Sequence, residues 1–157
     1  MTLSDLGDLG DFLGGIGVIV TLVYLSLQIR ANTREVRAAS LDTVATSHFE
    51  IQRILGQEPG LAKIWFDGLK GEVDLSEVDA QRFFFLLLTV ARRWERAFLK
   101  SLSGTLETDA WAGIEAEYIA IFSNPGAQMA WHNMRRGFSS EFVAFVNNAT
   151  QPGTKTR

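Results

Sequence analysis

The sequence predicts an all-α protein with one N-terminal transmembrane helix followed by a small soluble helical bundle. Three observations carry this expectation. Residues 9–29 read LGDFLGGIGVIVTLVYLSLQI, an apolar run whose only charge is Asp11. Beyond it, apolar residues recur at steps of three and four, the period of an amphipathic helix. The chain of 157 residues also holds only 3 prolines, and its periodic runs are built from Ala, Leu, Glu, Arg and Phe, which favour helix over strand and turn.

The apolar run comes first along the chain. A helix of roughly 21 residues rises about 31 Å, which matches the hydrocarbon core of a bilayer. A cleaved signal peptide would begin with positive charge, whereas residues 1–11 contain Asp5, Asp8 and Asp11 and no Lys or Arg. No small-residue cleavage site follows. A buried helix of a soluble protein is the other reading, and the length of the run favours a span. Directly after it stand Arg30, Arg34 and Arg37. The positive-inside rule then puts the N-terminus outside and the rest of the chain in the cytoplasm. The expected organisation is an anchor segment over 1–30, a cytoplasmic helical domain over 31–150 and a polar tail over 151–157. Removing the anchor leaves roughly 125 residues, enough to bury one core.

Within the run, Gly7, Gly10, Gly14 and Gly17 recur at alternating steps of three and four, and Thr21, Tyr24 and Gln28 extend the same stripe. Residues at this spacing share one helix face. Small residues let backbones approach closely, and polar groups in lipid need partners, so this face reads as a helix-packing seam. The basic residues Arg30, Arg34 and Arg37 form a second feature at the membrane interface, read as setting topology and snorkelling; lipid-phosphate recognition is the other reading, and lipid sites legible in sequence normally hold four or more basic residues.

Past the span, Leu41, Val44, His48, Ile51 and Leu55 keep the same alternation until Glu58-Pro59-Gly60 breaks it. Asn32 and Glu35 have the character of an N-cap and its N3 partner, so the helix either restarts there or runs through. A short helix is expected over 61–69. Ser76 and Asp79 form a capping-box signature that opens a long helix over 77–102. Its run FFFLLLTV, residues 83–90, is apolar all round yet too short to span, so it should be the centre of the soluble core. Gly104 ends that helix, and a further one over 109–122 carries Trp111, Ile114, Tyr118, Ile121 and Phe122 on one side. Asn124-Pro125-Gly126 reads as a turn before a helix over 127–136. After Gly137, Ser139 or Ser140 can cap a last helix through Phe142, Phe145 and Val146.

Taken in order, GDFLGGIGVIVTLVYLSLQIRANTREVRAAS, LAKIWFDGL, RRWERAF and NPGAQMAWHNMRRGFSSEFVAFV cover most of the chain. It resembles a family of small bacterial single-span membrane proteins with a cytoplasmic helical domain. The resemblance implies a plasma-membrane anchor and brings no activity with it.

The search for chemistry yields little. Asp5, Asp8 and Asp11 account for the net charge of −3, and the rest of the chain is balanced, so no nucleic-acid partner is expected. With no cysteine and only His48 and His132, no metal ligand set, no cofactor site and no catalytic residue emerges. His48 reads as a hydrogen-bonded core or interface residue. Neither a Walker-type GK[ST], nor GxGxxG, nor a Gly-x-Ser-x-Gly elbow occurs. One polar cluster stands out, Arg92, Arg93 and Glu95 with His132 and Arg135. Glu95 lies at the border of the apolar face, where it calls for arginine pairing. Such a cluster either ties two helices together or lines a pocket. Trp65, Trp94, Trp111 and Trp131 read as core and interface anchors.

The expected function is therefore a membrane-anchored helical interaction or scaffold protein, in contact with membrane lipid, and either a homo-oligomer or an accessory subunit among other membrane subunits. The alternative is a homo-oligomeric cation channel with Asp8 or Asp11 at an acidic outer mouth. An enzyme built on Glu95 and its arginines is the third class, and it lacks any catalytic spacing.

Overall fold

The computed structural model describes the backbone of residues 3–71 and 74–151, with their side chains except at 3–11, 41, 43–45 and 47–49. Among the described residues every regular element is helical. These are α1 (Leu3–Gln57), α2 (Pro59–Lys70), α3 (Glu77–Leu102), α4 (Thr108–Phe122), α5 (Pro125–Met134), a single 3-10 turn (Arg135–Gly137) and α6 (Ser140–Ala149). The chain divides into two compact units, Met1–Ala39 and Ser40–Arg157.

The first unit belongs to α1. Its stretch Phe12–Ser40 is long and apolar enough to cross a membrane. Side chains from residue 12 to residue 39 are exposed, large apolar ones such as Phe12, Ile16, Val20 and Leu27 included. The helix does not restart at Asn32. No Gly or Pro interrupts the chain between Gly17 and Gly56, so every peptide unit donates and accepts in turn, and Asn32 and Glu35 sit inside a continuous helix. The surroundings of Gly7, Gly10, Asp8, Asp11 and His48, like the tail from residue 152 on, lie outside the described residues.

In the second unit, both proline-containing breaks turn out to be helix starts. Pro59 opens α2 and Pro125 opens α5, each in the first turn. A first-turn residue needs no N–H donor, and the proline ring presets φ for the helix. Hence α2 begins two residues before the expected 61, and the Asn124-Pro125-Gly126 segment belongs to the start of α5. That helix also stops at Met134 and tightens into the 3-10 turn. The Ser76 cap forms as expected, its hydroxyl oxygen accepting the Asp79 N–H at 3.2 Å while its own hydrogen goes to the Asp79 carboxylate at 2.8 Å.

α3 is the axis of the core. Along it Phe83, Leu87, Val90, Ala91, Trp94, Ala97 and Phe98 are buried, the three-four stripe of one face. The FFFLLLTV run thus splits by direction: Phe83, Leu87 and Val90 point inward, whereas Phe85 is 61% exposed. Around Trp94 stand Tyr118 and Phe122 from α4 and Phe142 and Phe145 from α6, all with ring centroids within 5.6 Å of it. Ile51 and Leu55 of α1 pack onto the same core.

One contact is closer than any side chain allows. A Cβ on Gly126 would fall 1.8 Å from the Gly68 carbonyl oxygen, and one on Gly68 would fall 2.3 Å from the Phe83 ring. The last turn of α2 and the first turn of α5 therefore touch backbone to backbone. Gly71, at φ +69°, ends α2 in the left-handed region beside Gly126. Gly126→Ala is expected to lower unfolding stability by about 1–3 kcal/mol or more, since neither backbone can yield cheaply. Gly113, inside α4 with open space around it, should gain about 0.5–1 kcal/mol on the same exchange. Denaturant midpoints of the two variants check both signs, and an unchanged Gly126→Ala midpoint would refute the close contact.

Candidate functional site

The polar cluster expected around Glu95 is partly assembled and partly dispersed. Arg92 Nη1 donates to Glu95 Oε2 at 3.1 Å, and the other carboxylate oxygen accepts the Ser139 backbone N–H at 2.8 Å. The Arg92 guanidinium also lies over the Phe138 ring, 4.0 Å from its centroid. Glu95 thus joins α3 to the residues that precede α6. Partial burial by itself would raise its carboxyl, but the Ser139 backbone N–H, the Ser139 hydroxyl and Arg92 together hold it below its ordinary value of 4.5. His132 is exposed and Arg135 half-buried, and neither side chain bonds to Glu95. Each oxygen of this carboxylate thus holds one partner, an arginine on one side and a main-chain N–H on the other. The geometry is that of a clasp.

Arg93 turns the other way. Its side chain is 10% exposed, and Nη2 donates to Glu50 Oε2 of α1 at 2.9 Å. Its Nη1 is buried without a hydrogen-bond acceptor among the described residues. Arg93 lines a cavity of about 140 Å³ together with Ile51, Leu55, Trp65, Val90 and Tyr118. A space of this size can hold a few waters or one small apolar molecule. Burial, the largest influence on the Tyr118 hydroxyl, pushes it up to about 12, so it is protonated at neutral pH. Gln52, Glu117 and Ile121 complete the lining. Sequence reasoning placed Arg93 with Glu95 and did not find Glu50, which stands 43 positions away. Its only signal was an acidic residue on the polar flank of the second apolar stretch.

The apolar stretch of α1 carries the remaining residues singled out in the sequence. Gly14 and Gly17 face open space, as does Gly15 off the stripe. Tyr24 and Gln28 are exposed. Thr21 is satisfied inside its own helix, its hydroxyl donating to the Gly17 carbonyl at 2.8 Å. The Thr21 hydroxyl therefore needs no outside acceptor. Arg30, Arg34 and Arg37 are exposed and form no ion pair among the described residues. Among those residues, too, no three His, Asp or Glu side chains converge as metal ligands. No protein family, curated protein or solved structure matches this chain.

The clasp has a pH signature. Because the folded-state value of Glu95 is depressed, its contribution is fully present above the ordinary carboxylate range and is lost as pH falls through the folded value. Glu95→Gln is therefore expected to cost about 1–2 kcal/mol at neutral pH and progressively less as the solution is acidified below about pH 4. Urea titrations of both proteins across that range check it. A gap that stays constant with pH would exclude the charged form as the source.

Proposed function

We propose that this chain is a membrane-anchored helical interaction protein, either self-assembling or an accessory subunit of a larger membrane complex. One observation carries the reading: the apolar stretch within Phe12–Ser40 has its side chains exposed from residue 12 to residue 39. Apolar surface so long and continuous is far larger than soluble monomers tolerate. A bilayer would cover it all round, and glycine-bearing faces of other helices would cover part of it. The second unit supports the same reading, since Arg92 and Glu95 hold α3 to the residues before α6 and Arg93 pairs with Glu50 of α1. Arg30, Arg34 and Arg37 following the run favour a cytoplasmic second unit, an outside N-terminus and, by the resemblance of the sequence motifs, a bacterial plasma membrane.

The deciding experiment is gentle detergent extraction followed by mass measurement and identification of co-purifying chains. A mass that is a multiple of the 17.4 kDa chain supports self-assembly, and a different chain in fixed ratio supports subunit membership. A monomer with no companion would overturn both. Release of the protein from membranes by alkaline carbonate would remove the anchor altogether.

Two further outcomes are expected. Protease added outside intact cells should leave the second unit whole, and its digestion from outside would reverse the orientation. Gly14→Leu should lower cross-linking yield in native membranes, either to a second copy or to the companion, by about tenfold if backbones meet at the seam. Gly15→Leu, one step off the stripe, should change it little. Equal losses at both positions would remove the seam as the contact.

A further inference from the structure

We propose that Arg30, Arg34 and Arg37 form a binding face for anionic phospholipid headgroups, a role beyond setting topology. The proposal rests on the membrane-anchor reading and adds a preference in lipid. Its starting point is the continuity of α1 through Asn32, because a break there would have separated Arg30 from the other two. In an unbroken helix each residue turns about 100°, so Arg30 and Arg37 point about 20° apart and Arg34 about 40° to the other side. All three fall within a fan of about 60° along about 10 Å of axis.

Among the described residues nothing neutralises this face. The three side chains are exposed, and none has an ion pair or side-chain hydrogen bond among the described residues. The acidic neighbour, Glu35, stands about 140° around the helix from Arg30 and pairs with none of them. Three fixed positive charges are thus left side by side at the end of an apolar run closing with Ile29. That is the depth at which a helix leaves hydrocarbon for the headgroup layer, which is itself several ångströms thick. Guanidinium groups match phosphate oxygens two at a time, and their long stems let them reach back toward the interface. An acidic protein surface would satisfy the charge as well. The position next to the apolar run favours the lipid.

The test reconstitutes the full chain into phosphatidylcholine vesicles containing about one fifth phosphatidylglycerol, then counts the lipids that remain bound after mild detergent by native mass spectrometry. Insertion is scored first, by flotation with pure phosphatidylcholine vesicles after an alkaline wash. Failure of the natural chain at that step removes the anchor reading and the headgroup face with it. Given insertion, the natural chain is expected to retain phosphatidylglycerol severalfold above its share, with the excess falling as salt is raised. Replacing all three arginines by Gln should leave flotation intact and bring retained lipid back to the bulk ratio, a loss of about fivefold or more. Single Gln variants should fall between. Retention in bulk proportion by the natural chain, or unchanged enrichment in the triple Gln variant, overturns the headgroup face while leaving the anchor standing.

Discussion

The second unit is organised by one side chain, Trp94. It is fully buried and touches aromatic rings of two other helices: it stacks on Tyr118 with planes 9° apart, leans on Phe122, and meets Phe142 and Phe145 edge-on. Its indole N–H has no acceptor among the described residues, which costs about 1–3 kcal/mol. Burying about 200 Å² of ring surface contributes about 5 kcal/mol in the other direction, before any gain from ring geometry. Packing wins, and the unpaired N–H is tolerated. Trp131 solves the same problem differently by donating its N–H to Asn147 at 3.0 Å.

Two other devices set where the surrounding helices sit. Glycine at 68 and 126 brings α2 and α5 within backbone contact, which fixes their distance with no side chain between them. The Arg92 and Glu95 pair does the opposite task with long side chains, reaching from α3 to the residues that lead into α6. Ser139 is the residue flanking α6, and its hydroxyl caps none of the helix donors. The distant carboxylate instead takes the Ser139 N–H, so the start of α6 is tied to α3 by tertiary contact and not by local capping.

Much of the architecture was legible because it is written locally. The apolar run, the Ser76 cap and the stop at Gly104, whose φ is +68°, all act within a few residues of themselves. What escaped was written across the chain. Asn124-Pro125-Gly126 looked like a turn, and only the approach of Gly68 explains why glycine follows proline there at the start of a helix. FFFLLLTV looked apolar all round, and only the presence of neighbours on one side of α3 distinguishes buried Leu87 from exposed Phe85. In the same way Arg92, Arg93 and Glu95 are adjacent in sequence. The helix sends Arg93 toward Glu50 and leaves the other two facing Ser139. Periodicity tells which residues share a face, and it is silent on which helix meets that face.

The order in which the chain is made gives the aromatic centre a further consequence. Trp94 emerges from the ribosome well before the rings that enclose it on the α6 side, since Phe142 and Phe145 belong to the last described helix. During that interval the apolar run near the N-terminus has already been synthesised, and a second sticky surface waits uncovered behind it. A chain stopped short of residue 142 would keep that surface open permanently. Truncated products should therefore be recognised by chaperones and proteases as unfinished, however intact their apolar N-terminal stretch. Completion of the core is thus read out at α6, far along the chain from the apolar stretch of α1.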